Sequence, residues 1–155
     1  MLEIKIPGAD TLRLEHLVLD FNGTLAIDGA LVGGVADCIA RLSSQLTIHV
    51  LTGDTFGSAR AALANVCQVT ILSAHDQAEA KRAYVERLGP AAIACIGNGA
   101  NDRLMMQRAG LAIAVIQPEG AAVATLQTAH IAVGHVIDAF DLLLNPLRLV
   151  ATLRH

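Results

Sequence analysis

From Leu2 to Leu14 apolar and polar positions alternate: Leu2, Ile4 and Ile6, then the break Pro7-Gly8-Ala9-Asp10, then Leu12 and Leu14. Period two on both sides of a Pro/Gly/Asp turn predicts a β-hairpin over 2–15. From His16 the pattern changes to short apolar runs at His16–Asp20, Leu46–Thr52, Val69–Leu72, Ala91–Gly97, Leu111–Ile116 and Ile131–Val133. Each is too short for a helix and reads as a strand buried on both faces. Segments with helical spacing lie between them, at about 34–43, 56–65, 76–88, 101–109, 120–128 and 136–150. Strands alternating with helices predict a parallel sheet covered on both faces. The right-handed crossover rule makes it a doubly wound, Rossmann-like α/β fold. Gly89-Pro90 stops one helix ahead of a strand, and Asn145-Pro146 is placed to kink or split the last helix. His75-Asp76, with Glu79 in the first turn, marks a helix start. No linker, repeat or low-complexity tract interrupts the rhythm, so one domain over 1–155 is expected.

Composition narrows the function classes. The chain has 155 residues, 54% hydrophobic and 16% charged, with a mean hydropathy of +0.52. No run approaches the roughly 18 apolar residues of a membrane span. A formal charge of −3 offers no broad face to nucleic acid or anionic lipid. Aromatics are 3% with no Trp, which argues against stacking platforms for bases. Cys38, Cys67 and Cys95 form no CxxC and read as small buried hydrophobes. The six histidines show no ligand spacing. The opening residues lack the layout of a signal peptide, so a cytoplasmic location is expected.

The chemistry collects after the apolar runs. In open α/β sheets, sites form outside the carboxyl ends of the strands. Asp20-Phe21-Asn22-Gly23-Thr24, Thr52-Gly53-Asp54-Thr55 and Gly97-Asn98-Gly99-Ala100-Asn101-Asp102 each follow such a run. One cluster alone would be an ordinary turn; three on one sheet edge point to a site. Asp20 and Asp102, brought together, would repel unless a cation lies between them. Oxygen-only donors suit Mg²⁺ rather than zinc. An Asp beside Mg²⁺ can attack phosphorus. Thr24, Thr52 and backbone N–H groups of the Gly-rich turns can hold phosphoryl oxygens. Lys81 is the only lysine besides Lys5 and is the candidate cation for the transferring group.

These residues resemble a known set. Asp20-x-x-Gly-Thr-Leu, Thr52-Gly-Asp, Lys81 and Gly97-x-Gly-x-Asn-Asp102 are similar to the four motifs of the haloacid dehalogenase (HAD)-like hydrolases. Within that superfamily they most resemble the phosphorylation domain of P-type ATPases, through Val50-Leu51-Thr52-Gly53-Asp54 and the Lys81-to-Gly97 spacing. The resemblance implies Asp20 as nucleophile and Mg²⁺ ligand, with the Asn22 carbonyl, Asn98 and Asp102 as further ligands. It implies Thr52 and Lys81 at the phosphoryl group. Gly23, Thr24, Gly53 and Asn101 are expected to bind phosphate, and Asp54 to support the site.

Two positions depart from that pattern. Most phosphatases of the family carry Asp two residues after the nucleophile as general acid and base; here it is Asn22, which exchanges no proton at neutral pH. The first Asp of the last motif is Asn98. About 27 residues separate Thr24 from Thr52 and about 28 separate Thr52 from Lys81, too few for a cap or nucleotide-binding domain. Ala26–Gly34 would be a short flap. A capless site is expected to act on a small phosphorylated substrate within a homo-oligomer. Two functions stay open: a slow Mg²⁺-dependent phosphomonoester phosphatase through an aspartyl-phosphate, or a weakly active or inactive regulatory protein that binds phosphate or another ligand. A dinucleotide-binding oxidoreductase is disfavoured, because Asp102 stands where Gly97-x-Gly99 would need its third glycine.

Overall fold

The structure, a computed structural model, describes residues 1–54, 57–73 and 75–155. Thr55 of the second polar cluster and the first position of the expected helix 56–65 lie outside the described residues. The chain opens with the antiparallel hairpin β1 (Leu2–Ile4) and β2 (Leu12–Leu14), in register Leu2 to Leu14. β3 (His16–Asp20) follows, then the small hairpin β4 (Ala26–Ile27) and β5 (Ala30–Leu31), where the flap was expected. Next come α1 (Val35–Leu42), β6 (Thr47–Thr52), α2 (Ser58–Leu63), β7 (Gln68–Ile71) and α3 (Gln77–Leu88). The remainder is β8 (Ile93–Gly97), α4 (Arg103–Arg108), β9 (Leu111–Val115), α5 (Val123–Leu126), β10 (Ile131–Val133), α6 (Val136–Leu144) and α7 (Pro146–Leu153).

Six strands form one parallel sheet in the order β10-β9-β8-β3-β6-β7. From β3 the chain winds outward through β6 and β7, then returns through α3 to β8 on the other flank of β3. The order therefore reverses between β3 and β8, and such a reversal opens a crevice beyond the carboxyl ends of those two strands. Side chains along β3 alternate between faces. Leu17 and Leu19 enter one core with Ile39 and Leu42 of α1 and Phe140 and Leu143 of α6. Val18 enters the other, with Val85 of α3 and Met105 and Met106 of α4. Each such fully buried side chain contributes roughly 1.5–3 kcal/mol. Asp20, two residues after Val18, thus shares the face that α3 covers.

Several elements are shorter than their sequence pattern. Pro90–Ala92 is a 3₁₀ turn rather than the start of β8, and Ala100–Asp102 is another ahead of α4. The expected helix 120–128 shrinks to α5, because the chain turns at Gly120 (φ 76°) and the Ala122 N–H bonds the Asn98 carbonyl. The last helix splits at Asn145-Pro146, with Pro146 opening α7. Asp76 precedes α3 but has left-handed φ of 54° and makes no side-chain capping bond.

The three cysteines are free, and burial raises each thiol above its ordinary value, Cys67 to about 11. His16 and His49 meet across β3 and β6 at 3.1 Å, and His49 bonds the Tyr84 hydroxyl at 3.0 Å. Among the described residues no helix is long and apolar enough to cross a membrane.

Candidate active site

The carboxyl ends of β6, β3 and β8 lie side by side and deliver Thr52, Asp20 and Gly97 to one edge. Beyond them is a cleft of about 210 Å³ lined by Asp20, Asn22, Thr52, Gly53, Gln77, Asn98, Gly99 and Asn101. All of the lining side chains are polar except the two glycines, and Asp20 alone is ionisable. A larger open hollow of about 530 Å³ lies at the opposite, amino end of the strands, by Glu15, Thr47 and Gln68. It lacks the convergence of strand-end polar groups that marks the first.

Lys81 is fully buried and reaches from α3 to the foot of the cleft. Its Nζ donates to Asp20 Oδ1 and to Asp102 Oδ1, each at 2.6 Å. The two carboxylate oxygens are therefore no farther apart than twice that distance. The two carboxylates do come together, and the lysine ammonium lies between them. Asp102 Oδ2 accepts from the N–H groups of Asn98 (3.0 Å) and Gly99 (2.9 Å). Both of its oxygens are engaged, it is fully buried, and it does not line the cleft. In this arrangement Asp102 holds Lys81 and the Gly97–Gly99 turn.

Two carboxylates sharing one ammonium leave one negative charge in excess. Asp102 has two backbone donors besides the lysine, so the excess falls on Asp20. Burial and then the charge of Asp102 push the Asp20 carboxyl up to about 6, against the pull of Lys81 and Thr24. Burial opposes the charge on Lys81, but the two carboxylates outweigh it and hold the ammonium protonated.

The turn after β3 is wound tightly, with the N–H groups of Thr24, Leu25 and Ala26 all directed at the Phe21 carbonyl. Gly23 has φ of 78°, and a Cβ there would lie 2.4 Å from Asn98 Nδ2. Its N–H is spent on the Ala26 carbonyl. Thr24 is fully buried, its hydroxyl 3.2 Å from both Asp20 Oδ2 and Asn98 Oδ1. Gly23 and Thr24 thus stand behind Asp20, and neither lines the cleft. Thr52 does face the cleft; its Oγ1 accepts from the Asp54 N–H at 3.1 Å, leaving its own proton to donate. Asp54 Oδ2 accepts from Ser58 Oγ at 3.0 Å and Ala59 N at 2.7 Å, which anchors the start of α2.

No cluster of three or more His, Cys, Asp or Glu is placed to hold a metal among the described residues. Mg²⁺ does not require one, since it keeps waters and takes one or two carboxylates with substrate oxygens. Asp20 Oδ2 and Asn98 Oδ1 are hard acceptors sharing a single Thr24 proton, and Asn22 stands exposed beside them. That set fits a weakly charged Mg²⁺ site. Asn98 is also fastened: its Nδ2 donates to the Gly120 carbonyl at 2.9 Å. An Asp there would turn an oxygen against that carbonyl.

Two glutamines escaped the sequence reading. Gln117 Nε2 donates to the carbonyls of Gly23 (2.9 Å) and Thr24 (2.8 Å), and its Oε1 accepts from Val136 N, tying the turn after Asp20 to α6. It is the first polar residue after the apolar run 111–116, so the strand-end rule could have found it. Gln77 lies one helical turn before Lys81, on the same face of α3. That spacing was its available signal.

This chain has the fold of the HAD-family hydrolases. The 3-deoxy-D-manno-octulosonate 8-phosphate phosphatase of Moraxella catarrhalis, solved with magnesium ion, phosphate ion and a KDO molecule, is 18% identical with a TM-score of 0.69. The match covers 91% of this chain and 94% of that one. The cobalt-bound deoxy-D-mannose-octulosonate 8-phosphate phosphatase of Haemophilus influenzae is 15% identical with a TM-score of 0.70, over 85% and 88% of the two chains. The Yersinia pestis 3-deoxy-D-manno-octulosonate 8-phosphate phosphatase is 20% identical with a TM-score of 0.68, over 92% and 85%. No protein-family model matches the chain. It is 50% identical over 62 residues to the uncharacterized protein MJ0073 of Methanocaldococcus jannaschii, a stretch covering 40% of this chain and 67% of that protein, and the two belong to one family.

Proposed function

We propose that the chain is a phosphomonoester phosphatase that works through an aspartyl-phosphate on Asp20. The observation that carries this reading is the Asp20 carboxylate at the cleft, gripped by the buried Lys81 ammonium at 2.6 Å. The phosphatase neighbours and the motif resemblance support the same chemistry. Asp20 attacks phosphorus, the bond to the leaving oxygen breaks, and that oxygen takes a proton from solvent. Water then attacks the phosphorus of the acyl phosphate, releasing inorganic phosphate and restoring the carboxylate. Lys81 and the Thr52 hydroxyl offset charge on the transferring group. Bound Mg²⁺, held by Asp20, the Asn22 carbonyl and Asn98, would neutralise phosphoryl charge. Asn22 supplies no acid, so poor leaving groups turn over slowly.

The small, wholly polar cleft suits a small hydrophilic phosphate. We propose one domain acting as a cytoplasmic homo-oligomer, a neighbour covering the capless cleft; light scattering at 16.2 kDa would contradict the assembly. The test of function is hydrolysis of p-nitrophenyl phosphate with and without Mg²⁺ by wild type and Asp20→Asn. Loss of turnover in the variant is expected, with a trapped acid-stable phosphoenzyme only in wild type. Equal rates in the two proteins would refute the reading. A regulatory phosphate-binding role is favoured by one observation, the fastening of neutral Asn98 to Gly120. Its signature would be stoichiometric phosphoenzyme, or phosphate binding, without sustained turnover.

A further inference from the structure

Gln77 has a side chain that the reaction scheme leaves unused. It is the first residue of α3, half-buried, and it lines the cleft. Its Oε1 accepts from Asn101 Nδ2 at 2.9 Å, which fixes the amide plane and turns Nε2 the other way. Nε2 lies directly over Gly53: a Cβ built on Gly53 would be 2.1 Å from it. Gly53 therefore serves here as room for an amide. Among the described residues no acceptor meets Nε2. An oriented donor facing a polar cleft with nothing to bond is placed for a ligand oxygen. The neighbouring donors show which kind. Thr52 lies one residue before Gly53 and Lys81 one turn beyond Gln77, and both are the groups set against a phosphoryl oxygen.

We propose that Gln77 is a substrate-binding residue whose Nε2 donates to a non-bridging phosphoryl oxygen, with Asn101 as the residue that positions it. Asn101 was expected to bind phosphate itself; one of its two amide N–H groups is given to Gln77. The donor stands in for part of what a cap domain would supply, from the core domain's own helix. This role rests on the phosphatase reading. A hydrogen bond from a neutral donor to a phosphate oxygen is charge-assisted and is worth about tenfold or more in affinity. It is made in ground and transition states alike, so it acts on KM more than on kcat.

The test uses the full chain with p-nitrophenyl phosphate as substrate and inorganic phosphate as inhibitor. Gln77→Ala is expected to raise KM and the phosphate inhibition constant by about tenfold, with kcat within about threefold and Tm unchanged. Gln77→Glu, of the same size, should weaken phosphate further by setting a carboxylate against it. Asn101→Ala should weaken phosphate on its own, and adding it to Gln77→Ala should change little, since the two act through one contact. An inhibition constant in Gln77→Ala within twofold of wild type overturns the assignment, as does full additivity of the two substitutions. If wild type neither hydrolyses the ester nor binds phosphate, the phosphatase reading itself falls and takes this role with it.

Discussion

Replacing Lys81 by Met tests the charge balance under the cleft. The substitution keeps most of the side-chain volume and removes the only ammonium between Asp20 and Asp102, both buried. Two bare carboxylates cannot remain charged there, so the variant folds with Asp20 protonated. At pH 8, protonating a carboxyl whose ordinary value is 3.8 costs about 6 kcal/mol, at roughly 1.4 kcal/mol per unit. The wild type already bears about 3 kcal/mol of this, because Asp20 stands near 6 when folded. The difference, about 3 kcal/mol, agrees with the cost of breaking a buried pair. At pH 5 both proteins fold with Asp20 largely protonated and this part of the difference falls to about 1 kcal/mol or less, leaving the loss of the Lys81–Asp102 pair, which is common to both pH values. The sign follows from the raised value: the stability Asp20 contributes is complete below 3.8 and is lost as pH rises through its folded pKa. In the variant that loss continues past 6. Urea denaturation of both proteins at pH 5 and pH 8 measures it. A variant equally destabilised at both pH values, or undisturbed at pH 8, would refute the reasoning.

Other outcomes follow from the same geometry. Asn22→Asp should raise kcat on alkyl phosphates by roughly tenfold or more and change p-nitrophenyl phosphate less, by steady-state kinetics, because only the poor leaving group needs an acid. Gly23→Ala forces a Cβ onto Asn98 at positive φ and should cost about 1–3 kcal/mol in denaturant melts, with loss of turnover. Burial and then His16 lower the pKa of His49, so its neutral form is favoured on folding and stability should decline as pH falls below about 6.5; His49→Gln should flatten that acid limb in Tm-versus-pH scans.

The local pattern was enough for the architecture. Period-two positions, short apolar runs and the punctuation at Gly89-Pro90 and Asn145-Pro146 are properties of neighbours in the chain, and they placed nearly every strand and helix to within a few residues. The strand-end rule then drew Asp20, Thr52 and Asn98 to one edge without any knowledge of distance. What lay beyond reach were the pairings of groups far apart in sequence. Lys81 meets Asp20 across 61 residues, and Gln117 meets Gly23 across 94. Residue types alone say that two buried carboxylates need a cation; only the depth of α3 against the sheet brings the Lys81 ammonium between them. Likewise Thr24 and Asp102 look like ligands because of what they are. Only the fold sets Thr24 against Asp20 and Asn98, and Asp102 against Lys81 and the Gly97–Gly99 turn. An isolated donor such as the Gln77 amide carries no sequence signal beyond its one-turn spacing from Lys81. Its meaning comes from Gly53 and Asn101, two residues that the fold brings to it from other strand ends.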